Sequence, residues 1–271
     1  MTSFLPIFLI IPLQIHMLQF PYRMLKGVFG MGQGTINDIA FYSEALQEEL
    51  HLLIYLPENY SPLYKYTILI ASDGRDYFQL GRISRIADEY LANEEIENLI
   101  IVGVPYKNVE DRRRKYLPNG DLHTAYLRFL AHELVPYLDK NYSTYHMGMA
   151  RALIGDSQAA TVSLLAAVAY PNTFGKVLLQ SPQVNEEVLQ KAQEMKDPHA
   201  FSVYHVIGSL ETEVVTMDKK VKDFLTPNRK LHQLLKELGV DTFYDEFEGK
   251  HTWKYWQADL KRAIRQNFGQ K

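Results

Sequence analysis

The sequence contains no cysteine, and this absence excludes several kinds of chemistry. No disulfide can form, no thiolate can bind a metal ion, and no cysteine can act as a nucleophile. A chain without cysteine fits a reducing compartment, so we expect a cytoplasmic protein. An excess of charge of one sign is lacking too, since the formal net charge of the 271 residues is −3 at pH 7. We therefore expect no nucleic-acid partner.

The sequence has no apolar run long enough to span a membrane. The apolar stretch FLPIFLIIPL, Phe4 to Leu13, has ten residues with two prolines, whereas a spanning helix needs about 20 residues. No basic residue precedes it and no small-residue cleavage site follows, so it does not read as a signal peptide. We interpret residues 1–23 as an N-terminal extension outside the core that comes from upstream of the reading frame, with Met24 as the true start. A membrane-proximal anchor is the opposing interpretation, although we expect no stable membrane insertion.

Two further patterns are interpreted as structural. The one dense basic run, Arg112 to Lys115, predicts a solvated or salt-bridged surface loop. His132 and Glu133 begin a zinc-binding H-E-x-x-H pattern, but Pro136 stands where the second histidine belongs. We therefore expect no metal ion and no cofactor.

From about Asn37 onward, apolar strands alternate with amphipathic helices, which predicts one domain over residues 24–271. Its 46% apolar residues can fill a core. Such alternation predicts an α/β fold with a mostly parallel central sheet and helices on both faces. The predicted strands span residues 50–57, 66–74, 98–105, 202–209 and 241–249, together with one ending at Gly155 and one at 176–182. The predicted helices span residues 81–93, 122–141, 158–169, 228–238 and 253–268.

Ser157 is the candidate nucleophile. It lies in Gly155-Asp156-Ser157-Gln158-Ala159, where a predicted strand turns directly into a predicted helix. Small residues two positions before and after a serine are typical of a nucleophile elbow, because strand and helix nearly touch there. An N-cap serine is the simpler alternative.

His251 and an acidic residue between it and Ser157 would complete a triad. His251 follows the last predicted strand, and ligands of open α/β sheets bind at the carboxyl edge of the strands. Glu211 follows the predicted strand 202–209 and lies between Ser157 and His251 in the sequence. Glu213 and Asp218 remain competitors for the acidic role. The chain order serine, acid, histidine is that of α/β hydrolases.

The remaining candidates would surround this serine. The backbone N–H of Gln158, at the start of its helix, could bind an oxyanion. The backbone N–H of Arg75, after Asp73-Gly74 at another strand end, could supply a second donor, although Asp-Gly also favours an ordinary turn. Trp253 and Trp256 could line a substrate pocket, although aromatic residues in a last helix are more often core.

With these motifs in place, the chain resembles the esterase D branch of the α/β-hydrolase superfamily. The resemblance covers about residues 36–268 and includes enterochelin-type siderophore esterases among the relatives. It implies a triad of Ser157, Glu211 and His251, with Arg75 and Gln158 as oxyanion donors. Three positions depart from the family pattern, because Ala159, Ala160 and Lys250 stand where glycine is usual.

The resemblance implies a serine esterase that cleaves small carboxylic esters or thioesters through an acyl-enzyme. Three alternatives stay open: a non-catalytic binding protein, an acyltransferase, and a siderophore-ester hydrolase. The sequence also leaves open whether the chain forms a homo-oligomer.

Overall fold

The computed structural model describes residues 32–216 and 219–270, which belong to one compact unit. Residues 1–23 lie outside the described residues, so their interpretation as an extension stays a prediction. The described strands are β1 (Thr35–Ser43), β2 (Glu48–Leu56), β3 (Thr67–Ser72), β4 (Leu99–Val104), β5 (Arg151–Asp156), β6 (Lys176–Gln180), β7 (Ser202–Gly208), β8 (Val214–Val215), β9 (Val221–Lys222) and β10 (Asp241–Phe247).

Eight of these strands form one sheet in the order β1-β2-β4-β3-β5-β6-β7-β10. Strand β2 runs antiparallel to β1 and β4, and the other neighbouring pairs are parallel. The predicted mostly parallel central sheet is therefore confirmed. Strands β8 and β9 pair separately as a short antiparallel ribbon.

Helices cover both faces of this sheet, as predicted. They are α1 (Gly74–Gln79), α2 (Ile83–Ala92), α3 (Val109–Tyr116), α4 (His123–Phe129), α5 (Val135–Asn141), α6 (Gln158–Ala169), α7 (Glu186–Gln193), α8 (Leu225–Glu237) and α9 (Trp253–Phe268). A π-helical turn at Leu130–Leu134 joins α4 to α5. Side chains of α1, α2 and α9 pack on one face, and those of α3 to α8 pack on the other.

The central strands divide their side chains between two cores. In β3, Ile68 and Ile70 join one apolar cluster, while Leu69 and Ala71 join the other. This is the two-residue period of a strand whose faces are both covered, and it explains why these strands are almost continuously apolar. The two cores hold the strands in place from both faces. Ser157, Glu211 and His251 follow the carboxyl ends of β5, β7 and β10, so they lie at one edge of this sheet.

The basic run was wrongly predicted to be a solvated loop. It lies on α3, where Arg112 is 4% exposed and Lys115 is 2% exposed. Arg112 pairs with Asp73, and Lys115 pairs with Glu48 and Asp111. The salt-bridged part of the interpretation is right, but these two cations are buried because Asp73 and Glu48 from distant segments, together with Asp111 on the same helix, neutralise them.

Candidate active site

Ser157 lies at a sharp turn between β5 and α6. Its backbone has φ 52° and ψ −119°, a conformation that is strained for a residue with a side chain. A Cβ atom on Gly155 would lie 2.2 Å from the carbonyl carbon of Ala159, so only glycine fits there. Ala159 itself is fully buried and packs in the core, which accommodates its methyl group.

His251 lies between Ser157 and Glu211. Its Nε2 is 3.0 Å from Ser157 Oγ, and its Nδ1 is 2.6 Å from Glu211 Oε2. Because an ionised carboxylate can only accept, this geometry favours a proton on Nδ1 and leaves Nε2 to accept from the serine hydroxyl. The three side chains come from the ends of three different strands and meet at one edge of the sheet.

Glu211 is fully buried, and both of its carboxylate oxygens have partners. Besides the contact with His251, its Oε1 accepts hydrogen bonds from Ser181 Oγ at 2.7 Å and from the Gly208 amide at 2.9 Å. Of the competing acids, Glu213 is exposed and Asp218 lies outside the described residues. Glu211 is thus the acidic side chain that contacts the imidazole.

Two aromatic rings flank the imidazole of His251. The Phe224 ring centroid is 4.4 Å from that of His251, and the Trp256 centroid is 4.8 Å away in an edge-to-face arrangement. Trp256 Nε1 also donates to Ser181 Oγ at 3.0 Å. Ser181 therefore connects Trp256 to Glu211 through two hydrogen bonds. Neither Ser181 nor Phe224 was among the residues predicted from the sequence.

The predicted oxyanion donors lie at two helix N-termini. Asp73 has φ 60°, and its carbonyl accepts from the amides of Asp76 and Tyr77 in α1. Within the described residues, the amides of Gly74 and Arg75 make no hydrogen bond, as expected at a helix start. Arg75 does not line the cavity described below. The amide of Gln158 lies at the first position of α6, next to Ser157.

A cavity of about 400 Å³ opens beside Ser157 and His251. This volume falls at the lower end of the usual range for small-molecule sites. Trp253 is half-buried in the cavity wall, whereas Trp256 is 4% exposed and contributes only a small part of it. The full lining is Asp73, Asp76, Leu80, Tyr106, Arg112, Asp156, Ser157, Gln158, Gln183, Val215, Thr216, His251, Trp253 and Trp256.

Three carboxyl groups and one guanidinium also line this cavity. Arg112 Nε and Nη2 donate to the carboxylate of Asp73 at distances between 2.6 and 3.0 Å. Burial, followed by the charge of Asp73, raises the pKa of Asp156 well above its ordinary value and also raises the pKa of Asp76. Burial is also the main reason that the pKa of Tyr106 is raised to about 12.

The His132-Glu133 pair has a structural role. Glu133 accepts hydrogen bonds from Ser43 Oγ and from the Ala45 amide, and His132 packs edge-to-face on Tyr170. No group of three or more histidine, aspartate or glutamate side chains in residues 32–216 and 219–270 is placed to hold a metal ion. In the same residues, no helix is both long and apolar enough to cross a membrane.

The sequence matches one protein family over most of its length. The family model described as "Putative esterase" covers residues 43–266. Uncharacterized protein YjcH of Bacillus subtilis (strain 168) is 50% identical over 232 residues, which are 86% of this chain and 97% of that protein. The chain therefore belongs to this esterase family.

Solved structures show the same fold at low sequence identity. The CE1 ferulic acid esterase AmCE1/Fae1A from Anaeromyces mucronatus aligns with a TM-score of 0.70 and 17% identity, over 89% of this chain and 93% of that one. The enterobactin esterase FES from Shigella flexneri aligns with a TM-score of 0.74 and 16% identity, over 86% of this chain and 58% of that one. The protein thus has the α/β-hydrolase fold, and the match to the esterase family over residues 43–266 identifies it as a carboxylic ester hydrolase, in agreement with the sequence motifs.

Proposed function

We propose that the protein cleaves small carboxylic esters or thioesters through an acyl-enzyme formed on Ser157. The observation that carries the proposal is the continuous contact from Ser157 Oγ through His251 to the buried Glu211. A serine hydroxyl is a weak nucleophile by itself, and a hydrogen-bonded base that is oriented by a third group activates it.

In the proposed reaction, His251 Nε2 takes the proton of Ser157 Oγ while the oxygen attacks the ester carbonyl. A tetrahedral intermediate forms, and its oxyanion is bound by backbone amides, for which Gln158 and Arg75 are the candidates. His251 then donates its proton to the leaving alcohol or thiol. Water, deprotonated by His251, attacks the acyl-enzyme and releases the acid.

Glu211 orients the imidazole and stabilises its protonated form during these steps. The hydrogen bonds from Ser181 and Gly208 keep one carboxylate oxygen in place, so the other faces Nδ1 of His251. The packing of Phe224 and Trp256 against the ring restricts its rotation. A fixed base lowers the cost of reaching the reactive geometry.

The cavity favours a compact substrate. Its volume of about 400 Å³ and its partly aromatic wall at Trp253 suit a small acyl or alcohol group. Trp256 is more buried than Trp253, and its main contact at the site is with the imidazole of His251.

Ser157→Ala tests the proposal directly. We expect turnover of p-nitrophenyl acetate to fall by about 10⁵–10⁶-fold, because the attacking oxygen is removed. Ser143→Ala is the matched control, since Ser143 Oγ bonds only the Pro62 carbonyl at the opposite edge of the sheet. If Ser157→Ala keeps most of the activity, Ser157 is not the nucleophile. A loss of the same size in Ser143→Ala would contradict the assignment equally.

Hydrolysis and acyl transfer share the acyl-enzyme and differ in what attacks it. Product analysis with and without an added alcohol separates them. We expect free acid to remain the main product in the presence of millimolar alcohol. Conversion of most acyl groups to a new ester would instead identify an acyltransferase.

A further inference from the structure

The cavity has a second, acidic half that the proposed reaction does not use. Asp73, Asp76 and Asp156 line it together with a single cationic side chain, Arg112. The donors of Arg112 are directed to the Asp73 carboxylate, to Gln158 Oε1 at 3.3 Å and to the backbone carbonyl of Asp156 at 3.4 Å. Arg112 and Asp73 therefore neutralise each other, and the carboxyl groups of Asp76 and Asp156 remain in excess.

Asp156 is the side chain in this half that lacks a partner. It is 4% exposed and lines the cavity, and its buried Oδ1 has no hydrogen-bond partner among the described residues. A buried polar atom without a partner is rare in native proteins and costs free energy unless a ligand satisfies it. Asp156 also directly precedes Ser157, so a group bound to its carboxylate would lie beside the reacting ester.

Asp76 adds a more exposed carboxyl group to the acidic lining of the cavity. It is half-buried, and its Oδ2 accepts a long hydrogen bond of 3.3 Å from Tyr106 Oη. Tyr106 and Trp253 line the same cavity. Carboxylates next to aromatic faces are the environment in which organic ammonium groups bind, through charge, hydrogen bonds and cation–π attraction.

We propose that Asp156 and Asp76 form a subsite for a protonated amine carried by the ester substrate. This inference rests on the proposed function, because it names the substrate class of the same cavity. The carboxyl group of Asp156, which lines the cavity, can accept hydrogen bonds and therefore favours an ammonium with N–H donors over a quaternary one. The preferred substrates are therefore esters whose alcohol part bears a primary amine.

A pair of isosteric esters tests the preference. In 4-ammoniobutyl acetate the terminal ammonium replaces the terminal methyl group of pentyl acetate, so the two differ mainly in charge. We expect kcat/KM of the unmodified protein to be about 10-fold or more higher for the cationic ester. In Asp156→Asn the ratio of the two kcat/KM values should fall toward one. A bound ammonium favours the ionised form of Asp156 and so offsets the burial that raises its pKa, whereas asparagine has the same shape but cannot ionise.

Asp76→Asn is the second variant, and it decides the question if Asp156→Asn does not fold. We expect it to lower the same ratio several-fold. Glu110→Gln is the control, because Glu110 is an exposed acid outside the cavity lining, and the ratio should not change. Equal cleavage of both esters by the unmodified protein would overturn the proposal, as would a ratio that neither aspartate variant lowers.

A binding measurement separates this subsite from the proposed chemistry. Ser157→Ala lacks the attacking oxygen, so ligand-observed NMR can compare its binding of n-butylammonium with that of 1-butanol. Preferential binding of the ammonium that Asp156→Asn abolishes supports the subsite even if no ester is cleaved, in which case the proposed function fails alone. Cleavage of both esters without any ammonium preference or binding refutes the subsite and leaves the proposed function intact.

Discussion

The replacement of Glu211 by glutamine tests how the imidazole is held. The substitution keeps the size of the side chain, but it replaces one carboxylate oxygen by an NH₂ group that can only donate. The Gly208 amide can also only donate, and it lies 2.9 Å from Oε1. The carbonyl oxygen of the new glutamine must therefore face Gly208 and Ser181, which leaves its NH₂ group facing His251 Nδ1.

This orientation imposes the wrong tautomer on His251. An NH₂ donor at Nδ1 requires a proton on Nε2, where it faces Ser157 Oγ at 3.0 Å. The imidazole can then no longer take the serine proton, and the negative charge that stabilises its protonated form is missing. Together these effects lower kcat by about 10⁴-fold, which corresponds to about 5.5 kcal/mol of transition-state free energy.

The assay compares Glu211→Gln with Glu213→Gln on p-nitrophenyl acetate under saturating substrate. Glu213 is an exposed glutamate two residues further along the chain, so Glu213→Gln should keep the activity of the unmodified protein. Circular dichroism and urea unfolding establish that both variants are folded. The reasoning is refuted if Glu211→Gln retains activity within about tenfold of the unmodified protein, or if Glu213→Gln loses as much.

Three further predictions concern buried groups, and they use three substitutions and one control variant. Gly155→Ala should lower the free energy of unfolding by about 1–3 kcal/mol or more, since its Cβ would lie 2.2 Å from Ala159; a urea midpoint equal to that of the unmodified protein would contradict this. Arg112→Met leaves the Asp73 carboxylate buried and unpaired, so urea unfolding should report a loss of about 3–5 kcal/mol. Arg114→Met, on the same helix but with an exposed pair, should leave the unfolding curve unchanged, and equal effects of the two would refute the burial argument. Burial lowers the pKa of His205 from 6.5 to about 4. Between these two pH values the His205 imidazole is therefore protonated in the unfolded chain and neutral in the folded protein. As pH falls from 6.5 to about 4, the protein should lose about 3 kcal/mol of stability from this group, and His205→Gln should remove that part of the loss in a pH series of urea unfolding.

Local patterns were sufficient to predict the fold and to nominate the residues that meet at the sheet edge. Ser157 was nominated because small residues at fixed offsets are needed where a strand turns into a helix. His251 was nominated because the ends of parallel strands share one edge. Both nominations depend on short segments and on the sequence of strands and helices along the chain, which hydrophobic periodicity indicates.

Contacts between distant segments could not be predicted in this way. Arg112 lies in a run that is locally as polar as a solvated loop, and its burial depends on Asp73, which is 39 residues away. Ser181 contacts Glu211 across 30 residues and Trp256 across 75. No local pattern marks such a serine, because its role exists only after both partners have been brought together by the sheet.

Labelling with a fluorophosphonate probe, followed by peptide mapping, tests the central claim most directly. The probe reacts with a serine only if a neighbouring base activates it, and it requires no knowledge of the natural ester. We predict a single adduct on Ser157 that disappears in His251→Ala. A folded protein whose Ser157 stays unlabelled, or one in which another serine carries the adduct, would contradict the account.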